Sequence, residues 1–152
     1  MKFDKKIALF HQNVKTQNEA FELLAKQFVD ADVVQPNFLE GIQEREKNFP
    51  TGLQSDTVGF AIPHTDSKYV KRNQLGFMSL TNPVVFKSMA DPDEEIQVEL
   101  IVMMAIQGHD QAEMLGRLMD MFMNEDTVNR LKTVNDFDSF YEIVKEAGLD
   151  DW

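Results

Sequence analysis

The chain has 152 residues, 43% of them hydrophobic and 27% charged, the mix of one folded domain with a single core. Its formal net charge is -11, which excludes the basic footprint that a nucleic-acid binder needs. It has no cysteine, which excludes disulfides, thiolate metal sites and a cysteine nucleophile.

The N-terminus reads as neither a signal peptide nor a membrane span. It lacks a sustained apolar segment, and the longest apolar run, Leu100 to Ile106, is too short to cross a bilayer. Cytoplasmic localisation is expected. Ile7 to Phe10 is a short strand candidate. Thr16-Gln17-Asn18-Glu19 reads as a capping box, opening a helix with Phe21, Leu24, Ala25 and Phe28 on one face. Pro36 suits the start of a second helix, on which Phe38, Ile42, Arg45 and Phe49 share an apolar face. Pro50 and Gly52 end it. Val58 to Ile62 reads as a strand broken by Pro63. Leu75 to Leu80 and Val84 to Phe86 read as two strands with a turn at Asn82-Pro83. The segment Asp91 to Glu95 is a solvated acidic loop, and Val98 to Ile106 is the strongest strand, expected at the sheet centre. Three helices follow: one introduced by Gly108 and Asp110, a short one around Val128 and Leu131, and one from Asn135 to Gly148 carrying Phe137, Phe140, Tyr141 and Val144. The order predicts a layered α/β or α+β domain over residues 1–152, a mixed sheet with helices on its faces.

Two residues stand out for chemistry. His64 follows an apolar strand and Pro63, so it sits at a strand end, where a side chain projects into a crevice. An imidazole there can be a nucleophile, a base or a metal ligand, or simply be held by a backbone bond. Arg45, on an apolar helix face, must pair with a carboxylate, reach water along its stem, or clamp an anion. Glu46 is its neighbour but faces elsewhere on a helix. His11 has no partner spacing, and His109 sits between Gly108 and Asp110 at a helix start. The three histidines lack the spacing of a zinc site, and there is no Gly-rich phosphate loop, so no metal, no cofactor and no ATP-using kinase is expected. Lys68, Lys71 and Arg72 form the local basic patch near His64. The acidic balance elsewhere suits a partner that presents basic residues. The nine methionines read as core filler.

Arg45-Glu46-Lys47-Asn48-Phe49-Pro50-Thr51-Gly52-Leu53, followed after a short gap by Ala61-Ile62-Pro63-His64-Thr65, resembles the fructose/mannitol-type enzyme IIA domains of the bacterial sugar phosphotransferase system. The resemblance runs over roughly residues 5 to 148. It implies a single enzyme IIA domain whose His64 takes a phosphoryl group on Nε2 from the phosphocarrier protein HPr and passes it to a cysteine of an enzyme IIB partner. The sugar is phosphorylated during uptake by a membrane-bound IIC component. Arg45 is then the anion-stabilising residue, and Thr65 and Thr51 are further donors. Mannitol-type members carry a second active-site histidine four residues before a leucine. Leu115 and Leu118 align that position with Gln111, leaving His109 out of register. Gln111 and the Phe-Pro-Thr-Gly spelling resemble the galactitol-type branch, with Gln111 as a neutral hydrogen-bond donor near the phosphoryl group. No IIB or IIC segment is expected before Trp152. Both partners should share one surface around His64, with an apolar rim from Phe60 and Phe49. A regulatory member of the same fold, signalling by phosphorylation-dependent protein binding, is the alternative. A plain binding module and a metal-dependent hydrolase are more distant ones.

Overall fold

The computed structural model describes residues 2–149. The ends of the predicted 1–152 domain lie outside the described residues. Strand β1 (Ala8–Gln12) is followed by α1 (Gln17–Asp30) and α2 (Phe38–Asn48). Then come β2 (Gly52–Gln54), β3 (Gly59–Ala61), a single 3-10 turn (Ser67–Tyr69), β4 (Gln74–Lys87), β5 (Glu95–Ala105), α3 (Gly108–Met123), α4 (Glu125–Thr133) and α5 (Phe137–Glu146).

The five strands form one mixed sheet in the order β1-β4-β5-β3-β2. β1 pairs with β4 and β3 with β5 in parallel, while β4–β5 and β2–β3 are antiparallel. β5 occupies the centre because its side chains are apolar on both faces. Ile101 and Met103 join Phe21, Leu24, Phe28, Phe38 and Ile42 under α1 and α2. Leu100, Val102 and Met104 join Met114, Leu118, Phe122 and Phe140 under α3 to α5. The predicted mixed sheet with helices on its faces is therefore observed.

Thr16 caps α1 by accepting the Glu19 N–H at 3.2 Å, but the Glu19 carboxylate returns to the Lys15 N–H instead of completing the box on Thr16. α2 begins at Phe38, after Asn37, so Pro36 precedes the helix rather than opening it. Asn82-Pro83 makes no turn. β4 runs unbroken through both predicted strands, and the register slips between Ser79 and Val84. Proline has no N–H for the ladder, and the exposed slip is where a strand tolerates it. β2 is an element that the sequence reading left out. Its three residues pair with β3 at the sheet edge and carry the chain from α2 back toward His64.

Candidate functional site

β3 and β5 are parallel, so their carboxyl ends open on one side of the sheet, the usual place for a site in such folds. Past Ala61 the pairing resumes. The Met104 N–H donates to Pro63 O at 2.9 Å, and His64 bridges to Met104. This holds His64 at the strand end, with 7% of its surface exposed. Its Nδ1 lies 2.8 Å from Ile62 O. A carbonyl can only accept, so Nδ1 carries the proton and Nε2 keeps its lone pair. Burial pushes the His64 pKa below the ordinary imidazole value. The Ile62 bond opposes this and the Arg45 charge adds to it. The ring is thus neutral and nucleophilic near pH 7.

Arg45 lines the same cleft, about 260 Å³ in volume, from the last turns of α2. Its guanidinium carbon lies 4.7 Å from the centre of the Phe49 ring. Its buried Nε has no hydrogen-bond partner, and among the described residues no carboxylate comes within ion-pair reach of it. A cation stacked on an aromatic face with no counter-ion, beside a neutral imidazole, has the chemistry to receive an anion. Gly41, one turn earlier on α2, lets the loop after His64 approach. A Cβ there would meet the Tyr69 ring at 2.7 Å. Met89 and Pro92 from the β4–β5 connection and Leu115 from α3 complete the apolar wall. Phe49 is 62% exposed and forms the rim, as predicted for it. Phe60 does not. It is fully buried and stacked on Phe122 at 4.3 Å, because its side chain points into the α3 side of the sheet.

The other predicted residues fall into two groups. Thr51 lines the cleft, but its hydroxyl donates to Glu46 Oε1 at 2.7 Å, so the proton expected for the phosphoryl group is spoken for. Gln111 does not line the cleft but bonds to the loop beside it. Its Nε2 donates to Thr65 O at 2.9 Å and Ile106 O at 3.1 Å, tying the loop after His64 to the entry of α3. Thr65 lines the adjoining cleft on the other side of Arg45, together with Lys68. His109 is exposed beside Asp110, and His11 lies on β1 near Ser79; neither lines the cleft. Lys71 and Arg72 pair with Asp32 and Asp4, so Lys68 is what remains of the basic patch at the site. Glu46 does face elsewhere than Arg45, as expected, but its contact with Thr51 was missed. It is buried and bound to Thr51.

The class in view is a mixed-sheet domain with a strand-end histidine, its Nε2 free, beside an arginine with no ion-pair partner among the described residues. The chain belongs to the phosphoenolpyruvate-dependent sugar phosphotransferase system EIIA 2 family, whose pattern matches residues 1–147. It is 29% identical to the galactitol-specific EIIA component of Escherichia coli K12, over 74% of this chain and 72% of that one. It is 27% identical to the mannitol-specific enzyme IIA component of Staphylococcus aureus N315, over 89% of each. The solved structure of Escherichia coli enzyme IIAMTL in complex with phosphorylated enzyme IIBMTL has the same fold, with TM-score 0.76, 20% identity, and coverage of 91% of this chain and 94% of that one. Among the described residues, no helix is long and apolar enough to cross a membrane.

Proposed function

We propose that this chain is a cytoplasmic phosphoryl carrier of a sugar phosphotransferase system. His64 Nε2 attacks the phosphorus of phospho-HPr. The donor P–N bond breaks as the P–Nε2 bond forms, and the donor imidazole leaves with the electron pair. The Nδ1 proton stays on His64, where Ile62 O stabilises the positive ring. In the second step the thiolate of an enzyme IIB cysteine takes the phosphoryl group, and the P–N bond electrons return to Nε2. A membrane IIC component uses that group to phosphorylate the incoming sugar.

The observation that carries this reading is the Nδ1–Ile62 contact, which leaves Nε2 as the free nitrogen in a cleft that also holds an unpaired Arg45. Phosphoryl transfer asks the protein for positioning and charge stabilisation, and both are available there. Arg45 neutralises the equatorial oxygens, and the rim from Phe49 excludes water when a partner docks. The IIB partner is further supported by the complex formed by the similar enzyme IIAMTL. The sugar is an alditol, with galactitol the first choice given Gln111 and the similarity to a galactitol-specific component.

The test is incubation with phosphoenolpyruvate, enzyme I and HPr, followed by mass spectrometry of wild type and His64→Ala. One acid-labile phosphoryl group on wild type and none on the variant is expected. A folded wild type that takes none overturns the proposal.

A further inference from the structure

Glu46 is a carboxylate that the transfer chemistry above does not use. It is 4% exposed near the end of α2, one residue after Arg45. Both its oxygens are taken by one residue: the Thr51 N–H donates to Oε2 at 2.8 Å and the Thr51 hydroxyl to Oε1 at 2.7 Å. Burial raises its carboxyl above the usual range, against the Thr51 bonds and Arg45, which lower it. A raised carboxyl gives stability that is present below its ordinary value of 4.5 and lost as pH rises through the folded value. Its place next to the site, with both oxygens bound to Thr51, points to a role there.

The geometry supplies one. Phe49 is too exposed to be held by core packing, and the Arg45 guanidinium lies against its ring with, among the described residues, no hydrogen bond to its buried Nε. The ring's position therefore depends on its backbone. On one side the Phe49 N–H donates to Arg45 O at 2.7 Å. On the other side Thr51 is gripped by Glu46, just before Gly52 enters the sheet. Gly52 itself lies so close to β4 that a Cβ would meet Lys87 O at 2.6 Å. The Phe49–Thr51 segment is thus a short loop tied at both ends, with Glu46 as its side-chain tie.

We propose that Glu46 is a positioning residue: by gripping Thr51 it fixes the loop that carries Phe49, and so holds Arg45 over the cleft of His64. The inference rests on the reading of His64 as phosphoryl acceptor, and acts through Arg45. The contacts matter rather than the charge. In Glu46→Gln the amide oxygen accepts the Thr51 N–H and the amide N–H donates to the Thr51 hydroxyl, so both ties survive. In Glu46→Ala both are lost. In Thr51→Val the hydroxyl tie alone is lost.

The experiment measures single-turnover transfer from phospho-HPr in the full chain, and the pH titration of the His64 ring by NMR, which needs no transfer. Glu46→Ala is expected to slow transfer between about tenfold and about a hundredfold, the scale of a misplacement near 1 Å. Its His64 ring should titrate higher than in wild type, because Arg45 no longer depresses it. Glu46→Gln should match wild type in both readouts, and Thr51→Val should fall between. Glu46→Ala at the wild-type rate with the wild-type titration overturns the inference, as does Glu46→Gln as slow as Glu46→Ala. If Glu46→Ala does not fold, Thr51→Val decides: no change in either readout overturns the role. A wild type that accepts no phosphoryl group refutes the carrier reading instead, and the His64 titration alone then judges Glu46.

Discussion

Replacing Arg45 with methionine removes the cation from the cleft and keeps most of the stem. A hydrogen bond to a charged group contributes about 1.5–3 kcal/mol, and each 1.4 kcal/mol is a factor of ten in rate. Arg45 is half-buried and open to solvent on one side, so a single such interaction is the appropriate scale. Arg45→Met should therefore slow transfer from phospho-HPr by about 10- to 150-fold and shorten the life of phospho-His64. The methionine still covers the Phe49 ring, so the stability lost is that of an exposed cation–π contact, about 0.5–1 kcal/mol. For a chain of this size that lowers Tm by no more than about 4 °C. Quench-flow transfer and differential scanning calorimetry separate the two effects. An Arg45→Met protein that accepts phosphoryl at the wild-type rate would remove the anion clamp from the account.

The His64 ring is held below the ordinary imidazole value first by burial and then by Arg45, so its transfer rate should stay level as pH falls past about 6.5 and drop at more acid pH. The same depression means that the unfolded chain binds the proton first. Stability present above about 6.5 is lost as pH falls through the folded value, and denaturant titrations of His64→Ala should show a flatter slope there. Gln111→Ala cuts two ties between the His64 loop and α3 and should destabilise by about 1–3 kcal/mol in urea unfolding; no loss would mean that the loop is held by other contacts. In cells lacking their own galactitol-specific EIIA component, expression of this chain should restore galactitol uptake, and restoration of mannitol uptake alone would reassign the sugar.

Much of the site was legible because its residues follow local rules. Pro63 brings no N–H to the ladder after an apolar strand, so His64 near a strand end could be read directly. Arg45 was conspicuous because a charge interrupts an apolar 3.6-residue pattern. What stayed hidden depends on tertiary contacts. Glu46 falls in line with Phe38 and Ile42 at four-residue spacing and is buried with them, but its partner Thr51 lies beyond the end of the helix, and no helical spacing announces that contact. Thr51 and Gln111 were expected to donate to the phosphoryl group, but the structure spends their donors on Glu46, Thr65 and Ile106, a matter of side-chain geometry that spacing does not encode. Asn82-Pro83 carried a turn signal that a long strand absorbed by slipping its register. Met89 and Pro92 reach the cleft because β4 and β5 extend well past the sheet's middle, which no local motif announces.

The central claim concerns one atom, His64 Nε2. The direct measurement is nitrogen–phosphorus coupling by NMR in uniformly labelled protein phosphorylated through HPr. The account predicts the coupling at Nε2 of His64, with the proton still on Nδ1. Coupling at Nδ1, or at any residue other than His64, would contradict it.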